Sequence, residues 1–335
     1  MRRAWILVLC GVVLSGLACS RRATLPATLS DREFWSLSEA LSEPAGAFPL
    51  SDNLLSNEPY VAENVRRLPP AGGVYIGVGP EQNFSYIAGM RPAMAFIIDI
   101  RRENRSLHLL YKALFELSPE RADFVSRLFS RPRPPGLTST TGVEEIFTRY
   151  DGAARSPELF AATRTLVRER LLTSRALPLS QGDLDWIDHV LQAFYDQGPD
   201  IRFWGSSDVD AVQPTYRWLM TAKDMTGRIR SYLASEDGFR FVKDLQRKNL
   251  IVPVIGDFGG PGAIRRVGDY VRSHHGVVRA FYGSNVGVYL TTQQMRVFCA
   301  SLATLPAARR ASFVERDGVR ALASKLKACS PDARK

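Results

Sequence analysis

Two hydrophobic patterns alternate along the chain from residue 72 onward. Val74-Tyr75-Ile76-Gly77-Val78-Gly79, Met94-Ala95-Phe96-Ile97-Ile98-Asp99-Ile100 and Leu250-Ile251-Val252-Pro253-Val254-Ile255 are apolar runs, and residues 277–282 read as another strand. Strands buried on both faces of a parallel sheet have this form. Between the runs lie segments of helical period. Residues 84–90 read as a helix, and in residues 104–117 Leu107, Leu110, Tyr111, Leu114 and Phe115 share one stripe. A further helix follows Ser118-Pro119-Glu120 as far as residue 129, and another runs from residue 263 to His274. Strands alternating with helices predict an α/β fold, a Rossmann-like doubly wound parallel sheet.

Ser130-Arg131-Pro132-Arg133-Pro134-Pro135-Gly136 fits neither a helix interior nor a central strand and marks a crossing. Beyond it helical patterning dominates, at 143–150, 157–174, 181–197, 216–234 and 238–248, so a helical insertion of about residues 137–248 separates the two halves of the sheet. A last short strand is expected at 286–290. Upstream, Ser30-Asp31-Arg32-Glu33 is a capping box that starts a helix reaching about residue 42, and a second helix is expected at 58–67. Residues 43–58, rich in Pro, Gly, Ser and Asn, predict a loop folded over the body of the protein.

The first residues are of another kind. Met1-Arg2-Arg3 precedes an uncharged, mostly apolar run to Ala18, the form of a signal peptide covering residues 1–18. Gly16-Leu17-Ala18-Cys19 resembles a lipobox, which makes Cys19 the candidate for lipidation and residues 19–29 a tether. The expected location is the bacterial cell envelope, with the membrane reached through lipidated Cys19; a cytoplasmic protein with a misleading amino terminus is the alternative. The main domain then covers residues 30–305 and a basic tail residues 306–335.

Composition narrows the picture. The chain has 335 residues, a net charge of +10, 45% apolar residues and four cysteines, which excludes disorder, a fibrous fold and a disulfide scaffold. The cysteines show no zinc spacing, and the histidines form no metal pair around a glutamate, so no metal site is expected. After export only Cys299 and Cys329 remain with Cys19 in the mature chain. They either pair or stay as buried thiols, and the apolar helical setting of Cys299 favours the free thiol. Basic residues concentrate at the carboxyl end without interleaved aromatics, so there is no strong nucleic-acid signal. Asp208-Val209-Asp210 is a weak candidate for a metal-nucleotide pair.

Ligands of doubly wound sheets bind at the carboxyl ends of the strands. That rule selects residues 77–83, 99–101, 256–260 and 282–285. Gly77 and Gly79 permit a tight turn and close approach, Pro80 suits a first helical position, and Glu81, Gln82 and Asn83 begin the helix. Gln82 stands where a dinucleotide fingerprint wants its third glycine, which disfavours NAD. Asp99 is placed to accept ribose hydroxyls; the alternative is that it pairs with Arg101 or Arg102 or caps the next helix. Asp257, with Tyr282 and Asn285 beside it, is the candidate for catalysis or substrate orientation, and Asn53, Asn57 and Glu58 come from the loop that would close over the cleft.

Loop glycines with an acid on the next strand resemble the S-adenosylmethionine site of Rossmann-like methyltransferases. More specifically, Phe34-Trp35, Leu41-Ser42-Glu43-Pro44, Ser51-Asp52-Asn53, the segment from Gly77 to Asn83, Asp99-Ile100-Arg101-Arg102, Leu128-Phe129-Ser130-Arg131-Pro132, Val254-Ile255-Gly256-Asp257-Phe258 and Phe281-Tyr282-Gly283-Ser284-Asn285-Val286 together resemble an uncharacterised bacterial family of methyltransferase-like proteins first named from a Leptospira locus. The resemblance covers about residues 30–295. It implies a methyltransferase-type fold with S-adenosylmethionine, or a related nucleoside, as the small-molecule ligand at Gly77, Gly79, Pro80, Glu81, Gln82, Asn83, Asp99 and Arg101. The competing expectation is a non-catalytic envelope lipoprotein that uses the same cleft for a small molecule, a lipid or a protein.

Overall fold

In the computed structural model the described residues are 24–48, 53–202 and 213–329. Six strands form one sheet: β1 (Val74–Gly77), β2 (Met94–Asp99), β3 (Ile251–Ile255), β4 (Val278–Ser284), β5 (Ala307–Glu315) and β6 (Gly318–Ala321), in the spatial order β3-β2-β1-β4-β5-β6. The first five run parallel and β6 is antiparallel to β5. Every residue of β1, β2 and β3 is buried, as the unbroken apolar runs require. The order reverses between β1 and β4, which opens a crevice at their carboxyl ends. The protein is therefore α/β with a mostly parallel sheet, compatible with a Rossmann-like fold.

The helices in chain order are α1 (Asp31–Leu41), α2 (Val61–Arg67), α3 (Gln82–Met90), α4 (Arg102–Leu117), α5 (Arg121–Phe129), α6 (Val143–Asp151), α7 (Pro157–Arg168), α8 (Gln181–Gln197), α9 (Tyr216–Thr221), α10 (Glu236–Arg247), α11 (Ala263–Ser273), α12 (Thr292–Ala303) and α13 (Leu322–Ala328). The sheet lies between α4 and α11, both of which touch β2, and α1 packs on β3 and α11. The inserted helices form a further layer, because α8 and α10 pack on α4. Phe84 of α3 is the aromatic hub of this side, with edge-on rings of His108, Tyr111, Phe115 and Tyr232 around it. An ion-pair chain running from the interior to the surface adds to it: buried Lys112 meets buried Glu116 at 3.0 Å, and Arg175 of the insertion meets Glu116 at 2.8 Å and the partly exposed Asp31 of α1 at 2.6 Å. Burial pushes the Lys112 ammonium down to about 8.

The start of α1 follows the sequence pattern, since Ser30 accepts from the Glu33 amide and Glu33 accepts from the Ser30 amide. Five expectations are corrected. Helix α9 stops at Thr221 instead of running to residue 234, because Asp224 accepts from the amides of Thr226 and Arg228 and Gly227 has φ +78°, which turns the chain. Residues 286–288 form a 3₁₀ turn, not a strand, after Ser284 leaves the extended region at φ +49°. Residues 307–328 are no basic tail: β5 and β6 form a hairpin across Arg316-Asp317, and Phe313, Val314 and Leu322 are buried. The tether is fastened at its end, where Leu29 donates to the Lys248 carbonyl and Leu25 and Leu29 pack on the core. Finally, Cys299 and Cys329 are joined, which covalently ties α12 to the end of α13. The signal-peptide residues, Cys19 and the Asp208–Asp210 pair lie outside the described residues. Among the described residues no helix is long and apolar enough to cross a membrane.

The disulfide closes a loop of 30 residues. Reducing it, or replacing Cys329 by Ser, is expected to lower the free energy of unfolding by ~2–4 kcal/mol. Urea denaturation with and without reductant measures the difference, and an unchanged midpoint would contradict it.

Candidate functional site

A cavity of about 290 Å³ opens at the carboxyl ends of β1 to β4. Its size is near the lower end of small-molecule sites. Val78, Gly79, Pro80 and Gln82 face it from the loop after β1, Asp99 and Arg101 from the end of β2, Gly256 and Asp257 from the end of β3, and Ser284 and Asn285 from the end of β4. The amino-terminal loop supplies Phe48, Asn53, Ser56, Asn57 and Glu58. The four clusters selected by the strand-end rule therefore meet, although not every residue in them faces the cavity.

The loop after β1 is built from behind. Gly77 has no room for a side chain, because a Cβ there would come within 2.0 Å of the Asn83 Oδ1. Gly79 has φ +79°, the left-handed region that favours glycine. The Asn83 side-chain amide donates to the carbonyls of Val78 at 2.9 Å, Gly79 at 3.0 Å and Pro80 at 2.8 Å, while the Tyr75 hydroxyl donates to its oxygen at 2.8 Å. His108 Nε2 also meets the Gly79 carbonyl at 2.9 Å. A carbonyl only accepts, so the Nε2 carries a proton, and burial pushes this imidazole down to about 4, leaving it neutral. Gly77 and Asn83 thus shape the loop from outside the cavity.

Glu81 is also inward. Its two oxygens accept from the Ser56 amide at 3.2 and 3.1 Å, which fastens the amino-terminal loop to the loop after β1. Burial pushes this carboxyl up to about 8. The other end of the amino-terminal loop is held by Glu43, whose amide donates to the Ile255 carbonyl and whose carboxylate accepts from the amides of Asp257 and Ala263. Gly46 donates to the Ile100 carbonyl at 3.0 Å. The loop is a strap pinned at the ends of β2 and β3 and at Glu81, and it carries Asn53, Asn57 and Glu58 to the cavity as its composition suggested.

At the end of β2 the alternative reading of Asp99 holds. Its Oδ1 accepts from the Arg101 amide at 2.9 Å and from the Arg101 Nε at 3.2 Å, and its Oδ2 from Nη2 at 3.3 Å. Both side chains are buried and both line the cavity. Asp257 Oδ1 accepts from the Gly259 amide at 2.7 Å. Tyr282 does not line the cavity. It is fully buried, accepts from the Gln82 Nε2 at 3.2 Å and packs against Tyr86 with the rings tilted at 38° and 4.8 Å apart.

Sequence reasoning gave Glu58 too small a part. Its carboxyl is buried, accepts from the Ser284 hydroxyl, and is pushed up by burial. The Tyr282 hydroxyl is a second hydrogen-bonding neighbour of this carboxyl, and the Oε1 of Gln82 has no partner. No periodic signal marks Glu58, which sits in an irregular loop. His108 was findable, as a polar residue within the buried stripe of α4. Among the described residues no group of three potential metal ligands occurs.

Stability should report the Glu81 carboxyl. Folded Glu81 keeps its proton to about 8 against an ordinary 4.5, so the folded state binds more protons in between and stability falls as pH rises through that range. His108 acts in the opposite sense, but only between about 4 and 6.5, and Lys112 does so only above about 8. From pH 6.5 to 8 the free energy of unfolding should therefore drop by ~1–2 kcal/mol from Glu81, with Glu58, which burial also raises, acting in the same sense, and Glu81→Gln should make the drop smaller. Urea titrations across this range test it; a slope unaltered by the substitution would refute it.

No curated protein matches the chain. Residues 54–328 match one family model, described as a domain of unknown function (DUF7790). With the match spanning most of its length, the protein belongs to the DUF7790 family.

Proposed function

We propose that the cavity binds a nucleoside-bearing small molecule, with S-adenosylmethionine as the specific candidate, and that the protein is methyltransferase-like. The observation that carries this reading is the charge of the site. In a protein of net charge +10, the cavity wall presents Asp99 and Asp257, with the burial-raised carboxyl of Glu58 beside them, against Arg101 as the one cation among its described lining residues. The Oε1 of Gln82 adds a buried acceptor without a donor. Such a wall suits a ligand that brings hydrogen-bond donors and positive charge, and it is unfavourable to a pyrophosphate.

S-adenosylmethionine fits those demands through its ribose hydroxyls, ammonium and sulfonium. The backbone of Gly79 and Pro80 would lie along it, Asp99 would take the ribose, and Glu58 with Gln82 would take the ammonium. Arg101 leaves Asp99 acceptor capacity, since a carboxylate offers about four lone-pair sites. When bound, the cofactor supplies an electrophilic methyl group. Asp257 is the carboxylate at the end of β3 that would orient an acceptor or take its proton, with Asn285 opposite on the end of β4.

The second reading, a non-catalytic envelope protein held by lipidated Cys19, is favoured by one observation. Cys299 and Cys329 are paired, and disulfides persist in oxidising compartments. In that case the cleft keeps its shape and holds an envelope ligand instead.

Calorimetric titration of S-adenosylmethionine into residues 20–335 separates the readings. The methyltransferase-like reading expects micromolar binding, weakened about tenfold or more by Asp99→Asn, which costs ~1.4 kcal/mol or more. Absence of binding at millimolar ligand would favour the second reading.

A further inference from the structure

The carboxyl ends of the strands carry the acidic cavity, and the amino ends have the opposite character. Because β1 to β5 run parallel, the segments that lead into them meet at one edge of the sheet: residues 68–73, 91–93, 247–250, 272–277 and 304–306. They are contiguous, since Ala93 donates to the Gly73 carbonyl, Val74 to that of Val277, Ala95 to that of Leu250 and Val278 to that of Pro306. None of these segments contains an Asp or a Glu. With the first turn of chain in β5 they carry Arg91, Arg247, Lys248, Arg272, Arg309 and Arg310, all exposed except the half-buried Arg91. Three of the six are answered by an acid on a helix, Arg91 by Asp237, Lys248 by Asp244 at 2.6 Å and Arg272 by Asp269 at 2.5 Å. Arg247, Arg309 and Arg310 make no ion pair among the described residues.

The tether runs along the same edge. Leu29 donates to the Lys248 carbonyl, and the Asn249 side-chain amide donates to the Leu29 carbonyl at 2.9 Å. Leu25 lies against Gly276, where a Cβ would come within 3.0 Å of it. Cys19 is six residues from Leu25, a reach of about 20 Å at full extension. A lipid on Cys19 would therefore bring a membrane to the amino-terminal edge, while the cavity opens at the other end of the strands.

We propose that the amino-terminal edge of the sheet docks on an anionic phospholipid surface, with Arg247, Lys248, Arg272, Arg309 and Arg310 toward the headgroups and the cavity facing away from the membrane. The choice of a lipid surface over another polyanion rests on the reading of Cys19 as lipidated, and on Val277, an apolar side chain 37% exposed among these cations. Each cation near an anionic bilayer adds to the attraction, and salt screens it. The opposite charges of the two edges orient the molecule, because the acids around the cavity are kept from the headgroups.

Co-sedimentation with vesicles tests this, using residues 20–335, which contain every described residue and carry no lipid. Binding is expected to vesicles of mixed phosphatidylglycerol and phosphatidylethanolamine and not to phosphatidylcholine, and it should fall as salt is raised. Arg247→Glu with Lys248→Glu should weaken it about tenfold or more, and so should Arg309→Glu with Arg310→Glu. Arg149→Glu with Arg164→Glu makes the same change of charge at exposed positions of the insertion and should have a clearly smaller effect. No binding, equal binding to both vesicle types, or equal losses in the edge and insertion variants would overturn the proposal. So would tighter binding to duplex DNA than to vesicles at matched phosphate, since the edge would then be a nucleic-acid surface. The protein tested has no lipid, so failure here leaves the reading of Cys19 standing; the mass of the membrane-extracted protein tests that reading separately.

Discussion

The loop after β1 turns three successive carbonyls inward, those of Val78, Gly79 and Pro80, and one side-chain amide, Asn83, faces all of them. Buried carbonyls left without donors are costly, so this contact decides whether the turn at the centre of the sheet can exist. It depends in turn on the Tyr75 hydroxyl, which orients the amide, and on Gly77, where any side chain would displace Asn83. His108 completes the set from α4. The strap is fastened to the same turn, because Glu81 holds the Ser56 amide.

Electrostatics divide the molecule into parts with different demands. Many of its arginines work in structural pairs: Arg175 joins the insertion to α1 and α4, Arg102 binds Asp183 at 2.7 Å, and Arg133 binds Glu120 and Asp123. The overall positive charge is therefore a property of the scaffold and its surface. The cavity runs the other way, with acids at the ends of β2 and β3 and in the strap. Burial keeps Glu58 and Glu81 from ionising readily, which lowers the electrostatic cost of holding several carboxyls so close together.

The cavity is bounded by Ser284 and Asn285, at the point where β4 ends and the chain enters a 3₁₀ turn. A continued strand would have carried the chain past it. The left-handed Ser284 instead turns it back, so that Tyr289 reaches the wall of the cavity, where it meets Phe48 of the strap edge-on at 5.1 Å. One local backbone choice thus closes the cavity on the side of β4.

Periodicity alone determined the buried strands β1 to β4, the helices between them, the position of the insertion and the ends at which the cavity lies. Those features rest on local spacing and on burial on both faces, which any single sequence displays. It misjudged residues 307–328, where charge density obscured the hairpin across Arg316-Asp317 and the apolar positions of β5. Tertiary structure decided what spacing does not encode: that Cys299 and Cys329 come together, that Arg101 is the partner of Asp99, and that Tyr282 and Asn83 turn away from the cavity. These depend on contacts between residues far apart in the chain, such as Glu58 with Ser284 and Gln82 with Tyr282. The direction of a polar side chain in a loop follows from which distant donors or acceptors need a partner, and only the folded arrangement supplies them.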